Sequence, residues 1–331
     1  MKLGLIGLKG HQSRVLSGAS QLGGFEVVGI AEADDDKIAG TKRRYASLMA
    51  DAPVFEDWRR LLDHSTMDIC CVCDENGVRF EQLKALTQLG VHIVTEKPLT
   101  TTIDDLNRLQ QMRAEATGRL TMLLTMRHEA AYAHARRLIQ EGAIGEPSLV
   151  TSQKSYRLET RPDWFQSFER LGGTIPYIGI HAVDLMSWVT GLDYTHVAAL
   201  QGKHGKREIM GETESHASLL LRMNNGASAT ARLDYLRPQT APTHGDDRLR
   251  IAGTEGVLEV GPDKKIQLAT TQLPPHEIEP EPTSNLFVDF IEAIRADRPS
   301  RIPEEDCFGV TRVVLKARQA ADEQTLVAID S

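Results

Sequence analysis

At 331 residues, with 41% hydrophobic and 25% charged side chains, the chain is long enough for two ordinary domains, each able to bury its own core. Its 38 basic and 46 acidic residues leave a net charge of −8, which argues against a polyanion-binding surface. No 18 apolar residues run together, so no membrane span is expected.

The opening residues MKLGLIGLKG carry only Leu3 to Leu8 as an apolar stretch before Lys9, with no small-residue cleavage site after it, so they do not read as a signal peptide. The basic run Lys203–Arg207 reads as a solvated loop, not a nucleic-acid patch. Cys70, Cys71 and Cys73 lie in the apolar run DICCVC, where neighbouring side chains face opposite sides of a strand. They read as buried, reduced thiols of a cytosolic protein, and no metal site is expected.

Strand-like and helix-like stretches alternate over the first 125 residues. Lys2–Leu8 reads as a strand, and Val15, Leu16, Ala19 and Leu22 then share a helical face. Phe25–Ala31 (strand), Ile38–Met49 (helix), Asp68–Cys73 (strand) and Phe80–Leu89 (helix stopped by Gly90) continue the pattern. His92–Val94 is a strand, Ile103–Ala116 a helix and Leu120–Met126 a strand. Such alternation predicts a parallel sheet with helices on both faces, and ligands beyond the carboxyl ends of its strands.

The first turn reads GLKGHQ, Gly7 to Gln12, where a dinucleotide fingerprint would read G-x-G-x-x-G. Only the first glycine matches. Lys9 and Gln12 stand at the other two positions, and Gly10 is an extra glycine between them. The loop nevertheless follows a strand, precedes a helix, and is answered by Glu32 at the end of the second strand. A carboxylate there accepts bonds from ribose hydroxyls and repels a 2′-phosphate, which favours NAD over NADP. Gly7, Lys9, Gly10, His11, Gln12 and Glu32 are therefore the candidate cofactor contacts, with the Lys9 ammonium expected to pair with a phosphate.

The strand His92–Val94 ends in Thr95-Glu96-Lys97-Pro98. A proline after a strand is ordinary, but a lysine just past a strand's carboxyl end lies on the ligand side of the sheet. With Glu96-Lys97-Pro98 and the later segment GGTIPYIGIHAVDLMSWVTG (Gly172–Gly191), the chain resembles the Gfo/Idh/MocA family of glucose–fructose oxidoreductases and inositol dehydrogenases along nearly its whole length. The resemblance implies that Lys97 lies beside nicotinamide and substrate, and that a cis bond precedes Pro98. It places Glu96 and Asn76 on the cofactor path, although Asn76 sits in DENGVR, where Arg79 replaces the family's usual histidine.

In the later segment, Thr174 and Pro176 open a predicted helix and Gly191 closes it. Helical spacing sets Tyr177 and His181 one turn apart and Asp184 three residues on, so that the three share a face. The resemblance makes His181 the catalytic histidine and puts Tyr177 where the family commonly has an aspartate. A tyrosine, with an ordinary pKa of about 10, is neutral at pH 7. Arg127, Tyr156, Arg157, Trp164 and Asp184 are the candidate substrate contacts. His128-Glu129 with His134 has the wrong spacing for a zinc helix.

Beyond residue 125 the periodicity changes. Helices are expected over Ala130–Gln140 and Tyr177–Thr190. Strands of period two are expected over His196–Gln201, His216–Met223, Ala227–Leu236, Leu249–Ala252, Val257–Val260 and Lys265–Leu268, and helices again over Leu286–Ala296 and Glu304–Ala321. The expectation is an N-terminal Rossmann-type α/β domain over residues 1–125. An α+β domain on a large, mostly antiparallel sheet, for substrate binding and oligomerisation, follows over 126–331. The resemblance implies a homodimer or homotetramer acting on a small sugar, cyclitol or related polyol, with no nucleic-acid or membrane partner. Lys97, His181 and Tyr177 would be the catalytic groups of an NAD-dependent oxidoreductase. A non-catalytic dinucleotide-binding sensor or scaffold, and a redox-assisted elimination or glycosidase reaction with tightly held NAD, stay open as alternatives.

Overall fold

The computed structural model describes residues 1–49, 51–205 and 207–329; Lys206 of the basic run lies outside them. The chain divides into two compact units, Met1–Leu123 with Ser284–Phe308, and Leu124–Thr283 with Gly309–Ser331.

The first unit opens with β1 (Lys2–Ile6), α1 (Gln12–Leu22), β2 (Glu26–Ala31), α2 (Asp35–Arg44), α3 (Ala46–Met49), β3 (Val54–Phe55) and α4 (Trp58–His64). It continues with β4 (Ile69–Val72), α5 (Arg79–Gln88), β5 (His92–Thr95), α6 (Ile103–Arg113) and β6 (Leu120–Met122). Among the described residues these strands form a parallel sheet in the order β3-β2-β1-β4-β5-β6. Burial explains the composition: every residue of β4 and three of the four in β5 are inaccessible, so both read as unbroken apolar runs. β3 and α4 are absent from the sequence reading. β3 has two residues, too short to show a period, and α4 is set by a local cap in which the Asp57 side chain accepts from Arg59 N–H at 3.0 Å. The expected helix Ile38–Met49 breaks at Tyr45.

The second unit contains α7 (Ala130–Gln140), β7 (Pro147–Arg157), α8 (Phe168–Leu171), α9 (Ile180–Thr190), β8 (Tyr194–Gly202), α10 (Arg207–Met210), β9 (His216–Met223) and β10 (Ser228–Arg237). β11 (Gly245–Gly253), β12 (Gly256–Val260), β13 (Ile266–Thr270) and β14 (His276–Ile278) follow. The chain ends with α11 (Leu286–Arg295), α12 (Glu304–Glu323) and β15 (Val327–Ala328). The sheet order is β14-β13-β12-β11-β7-β10-β9-β8-β15, antiparallel throughout except for the β7–β10 pair. One face, with Val150, Ser152 and Lys154 of β7 and Ala231, Leu233 and Tyr235 of β10, is buried, and α9 packs on β7 there. β7 was not visible as a strand, because two of its buried positions are Ser152 and Lys154 and the apolar alternation is lost.

The segment Ser284–Phe308 belongs with the first unit, whereas the sequence reading assigned it to the second domain. The reason is packing. Leu286, Phe287, Val288, Phe290 and Ile291 of α11 are buried, the Phe287 ring meets Phe25 edge-on at 5.3 Å, and Asn285 donates to Arg14 O at 3.2 Å. Gly18 of α1 permits this approach, since a Cβ there would lie 2.9 Å from that of Phe287.

Candidate active site

In the first unit, β1 and β4 are neighbours while their following helices leave in opposite directions along the strand order, which makes the crevice beyond them the switch point of the sheet. Gly7 turns the chain out of β1 with φ +74°, and a Cβ on it would lie 2.6 Å from Cys73 O. Gly7 N–H donates to Ala31 O and Lys9 N–H to Cys73 O, both at 2.8 Å, so the loop is pinned to β2 and β4. Glu32 is buried and reaches back to it: Oε2 accepts from Leu8 N–H at 2.8 Å, and Oε1 from Ala33 and Asp34 N–H at 2.9 and 3.1 Å.

The Lys9 side chain takes another direction from the one expected. Its ammonium lies 2.8 Å from Asp74 Oδ1 and 3.1 Å from Glu75 Oε1, held by the loop after β4. Burial opposes its charge, but the two carboxylates prevail and hold its pKa above the ordinary lysine value. Asp74 is correspondingly held below the carboxylate range, the lysine outweighing its own burial. Gln12 closes the loop locally, with Oε1 accepting from Gly10 N–H at 3.1 Å and Nε2 donating to Leu8 O at 3.3 Å.

Helix α1 begins with no capping side chain from its N-cap His11 and no acid in its first turn. A carboxylate from a distant strand supplies the negative charge. Glu96, just past β5, accepts from His11 N–H and lies 2.6 Å from His11 Nδ1. It also accepts from Lys97 N–H at 3.2 Å. Burial alone would raise the Glu96 pKa, yet His11, Lys97 and Arg79 together push it far below the ordinary carboxylate value. Lys97 itself is 4% exposed, and the Lys97–Pro98 bond is cis. Arg79, 1% exposed, donates to Pro98 O and to Asp74 O, each at 2.7 Å, and so ties the loop after β5 to the loop after β4. Asn76 lies buried in the single turn Asn76–Val78 that precedes α5.

These residues suit a dinucleotide. The turn at Gly7 excludes a side chain, the positive end of α1 is unfilled by its own residues, and Glu32 presents an acceptor where a ribose would lie. Asp34, Asp35 and Asp36 follow Glu32 after a single alanine, and Lys42 is engaged elsewhere, donating to Ala52 O at 2.6 Å.

In the second unit, the segment expected as one helix begins with a π turn, Ile175–Gly179, before α9. Tyr177 lies in that turn, while His181 and Asp184 are buried in α9. The Tyr177 ring meets Phe165 edge-on at 4.9 Å and Trp164 at 6.1 Å. Arg127 and Asp184 come together: Arg127 Nε lies 3.0 and 3.1 Å from the two Asp184 oxygens, with Nη2 completing the fork. Both side chains are at most 4% exposed. The sequence reading set Asp184 and Arg127 side by side as substrate contacts; in the fold the Asp184 carboxylate is met by Arg127. Arg157 lies 3.5 Å from Glu159 and donates to Gln239 O at 3.3 Å. Tyr156 stacks on His244 at 5.1 Å, apart from the Arg127–Asp184 pair in its contacts.

Several polar residues of this unit escaped the sequence reading. Lys154, 2% exposed at its side chain, lies 2.7 Å from Asp247 Oδ2, and Lys264 meets Glu129 and the Tyr132 hydroxyl at 3.0 Å each. Tyr235 is fully buried, with Arg161 over its ring at 5.2 Å. Only the position of Tyr235, in an apolar alternation with Ala231 and Leu233, carried a signal of inward facing.

Residues 1–124 match the model of the oxidoreductase family with an NAD-binding Rossmann fold, and residues 132–259 match that of the GFO/IDH/MocA C-terminal domain. The chain belongs to the Gfo/Idh/MocA family. A solved structure of an assigned oxidoreductase from Thermotoga maritima superposes with a TM-score of 0.94 at 31% identity, covering 99% of this chain and 100% of that one. The Bacillus subtilis scyllo-inositol 2-dehydrogenase (NADP(+)) IolW is 21% identical over 85% of this chain and 84% of its own length. YteT of the same organism, an assigned oxidoreductase, is 25% identical over 53% of this chain and 42% of its own length. The chain thus spans about half the length of several curated relatives that it matches. Within this Gfo/Idh/MocA member, Arg79 occupies the position after β4 as a tie to the Glu-Lys-Pro segment, and Tyr177 fills an aromatic niche that an aspartate would leave open.

Proposed function

We propose that the protein is an NAD-dependent oxidoreductase acting between a secondary alcohol and a ketone of a sugar, cyclitol or related polyol. The observation that carries this reading is Lys97: a buried ammonium at the carboxyl end of a central parallel strand, with its backbone N–H bonded to Glu96 and the following carbonyl held by Arg79. A nicotinamide dinucleotide, when bound, supplies the hydride acceptor or donor. Lys97 stabilises the negative charge that develops on the substrate oxygen. His181 takes the hydroxyl proton in oxidation and returns it in reduction. Tyr177 hydrogen-bonds the reacting oxygen or passes its proton to His181, without the charge an aspartate would bring. Glu32 and the acidic start of α2 support NAD over NADP, although the relative IolW is named for NADP(+).

The outward face of the large sheet leaves Leu200 70% and Leu220 55% exposed, which supports assembly as a homodimer or homotetramer; sedimentation analysis reads this directly. The buried free cysteines suit a reducing, cytosolic setting.

The test is a fluorescence titration with NADH and with NADPH, after a check for cofactor carried through purification, followed by a polyol and sugar screen. The expected outcome is NADH binding that Glu32→Ala relaxes toward NADPH, and turnover that falls ~100-fold or more in Lys97→Ala and His181→Ala. Full turnover in Lys97→Ala would remove the central assignment. A specific observation favours a second reading, a scaffold without turnover. Gly10 and His11 N–H, both in the phosphate loop, are already occupied by Gln12 and Glu96. Failure to bind either dinucleotide, with none co-purifying, selects that reading.

A further inference from the structure

On the buried side of the second unit, one group of side chains offers donors that nothing among the described residues accepts. Tyr235 is 0% exposed, and its hydroxyl has no hydrogen-bond partner among the described residues. Arg161 lies beside it, its guanidinium 5.2 Å from the Tyr235 ring centre and 4.9 Å from that of Phe165. Its buried Nε is likewise unpartnered, and its one hydrogen bond among those described is from Nη2 to Arg157 O at 3.2 Å. Leaving a buried donor unsatisfied forfeits its hydration with nothing in return. Two such donors on neighbouring side chains mark a place completed by an acceptor from outside.

The neighbouring acids do not fill it. Glu159 carries its carboxylate to His244 at 3.2 Å and to Arg157 at 3.5 Å. Asp247 gives one oxygen to Lys154 and keeps the other, Oδ1, buried and without a partner among the described residues. Tyr156 has the Lys154 ammonium over its ring at 5.2 Å and the Tyr235 ring 6.3 Å away, and its phenol is pushed up by burial, further by Asp247, and drawn down by Arg161. Tyr235 and the proposed catalytic Tyr177 both meet the Phe165 ring edge-on, at 5.9 and 4.9 Å, and the Tyr235 phenol is pushed up by burial, with Arg161 opposing. The walls are the rings of Tyr156, Phe165 and Tyr235, with Trp164 beyond.

We propose that the substrate is a sugar acid whose carboxylate is received by Arg161 and the Tyr235 hydroxyl, with a sugar hydroxyl donating to Asp247 Oδ1. A guanidinium pressed on ring faces is weakly hydrated and presents a planar fork that matches a carboxylate better than it matches a single hydroxyl. The aromatic faces cover the apolar side of a pyranose. This deepens the polyol reading, on which it rests, by naming the group that separates the substrate from a neutral sugar.

Calorimetric titration of the full-length protein with D-glucuronate, D-galacturonate and D-gluconate, against D-glucose and D-galactose, tests it, with and without saturating NADH. At least one acid should bind ~10-fold or more tightly than the neutral sugars, as expected for a charge-assisted bond. Arg161→Gln should erase that preference and Tyr235→Phe should reduce it, while circular dichroism stays as in the wild type. Acids bound no better than neutral sugars, no acid bound at all, or an acid preference unchanged in Arg161→Gln would each overturn it. NADH titration of the same samples separates the two claims. Acid binding that depends on Arg161 without NADH binding sinks the dehydrogenase reading alone, and turnover of neutral polyols with no response to acids sinks the sugar-acid inference alone.

Discussion

Glu96 lies against Gly10. A Cβ on Gly10 would stand 2.6 Å from Glu96 Cγ and closer still to Oε1, so the extra glycine of the loop is there to admit a carboxylate from just past β5. Gly10→Ala should push Glu96 off His11 and weaken NADH binding at least 10-fold, with a stability loss of about 1–3 kcal/mol from overpacking. Urea unfolding and an NADH titration read both. Unchanged values in the variant would show that the loop yields and that the contact has no such role.

The same carboxylate gives a pH signature. The Glu96 pKa in the folded protein is depressed from its usual value of 4.5, so its ionised form stabilises the fold above pH 4.5. That contribution fades as pH falls below 4.5 toward the folded-state pKa. Glu96→Gln should therefore cost roughly 2–4 kcal/mol at pH 7, and the gap to wild type should narrow steadily in unfolding experiments between pH 4.5 and pH 3. A gap independent of pH would mean that the charge on Glu96 is not what His11 and Lys97 hold.

The parallel sheet was legible because its strands are buried on both faces and read as apolar runs, and the helices Ala130–Gln140 and Leu286–Arg295 because a single apolar stripe defines them. The cis bond at Pro98 agrees with what the resemblance implied. Pairings across long sequence separations were not legible. Nothing local in DENGVR shows that Arg79 reaches Pro98, and Lys9 beside a phosphate loop gives no sign that Asp74 and Glu75, 65 and 66 residues away, hold its ammonium. β7 was hidden because its buried face carries Lys154 and Ser152, polar residues that the sheet places inward only once Asp247 of β11 stands beside Lys154.

Arg79 gives a prediction about the Glu-Lys-Pro segment. It is buried, and it bridges Pro98 O and Asp74 O. Arg79→Met keeps the bulk but leaves both carbonyls unserved. It should lower stability by about 2–4 kcal/mol and reduce kcat more than NADH affinity, because the segment carrying Lys97 loses its tether. Arg79→His, the family's usual residue there, should fall between the two. Equal kcat in wild type and Arg79→Met would show that Lys97 is positioned without Arg79.

The Arg127–Asp184 pair separates structural from substrate contact. Both side chains are almost wholly buried, and the guanidinium meets both carboxylate oxygens. Removing one partner strands a buried charge, so Asp184→Leu and Arg127→Met should each cost about 3–5 kcal/mol. The double variant, which removes both charges, should recover most of that loss, because an apolar pair of similar volume avoids the desolvation penalty altogether. Urea midpoints of the four proteins measure the coupling. Additive losses in the double variant would show that the two residues act independently, and Arg127 would then return to the group of substrate contacts to be tested by KM.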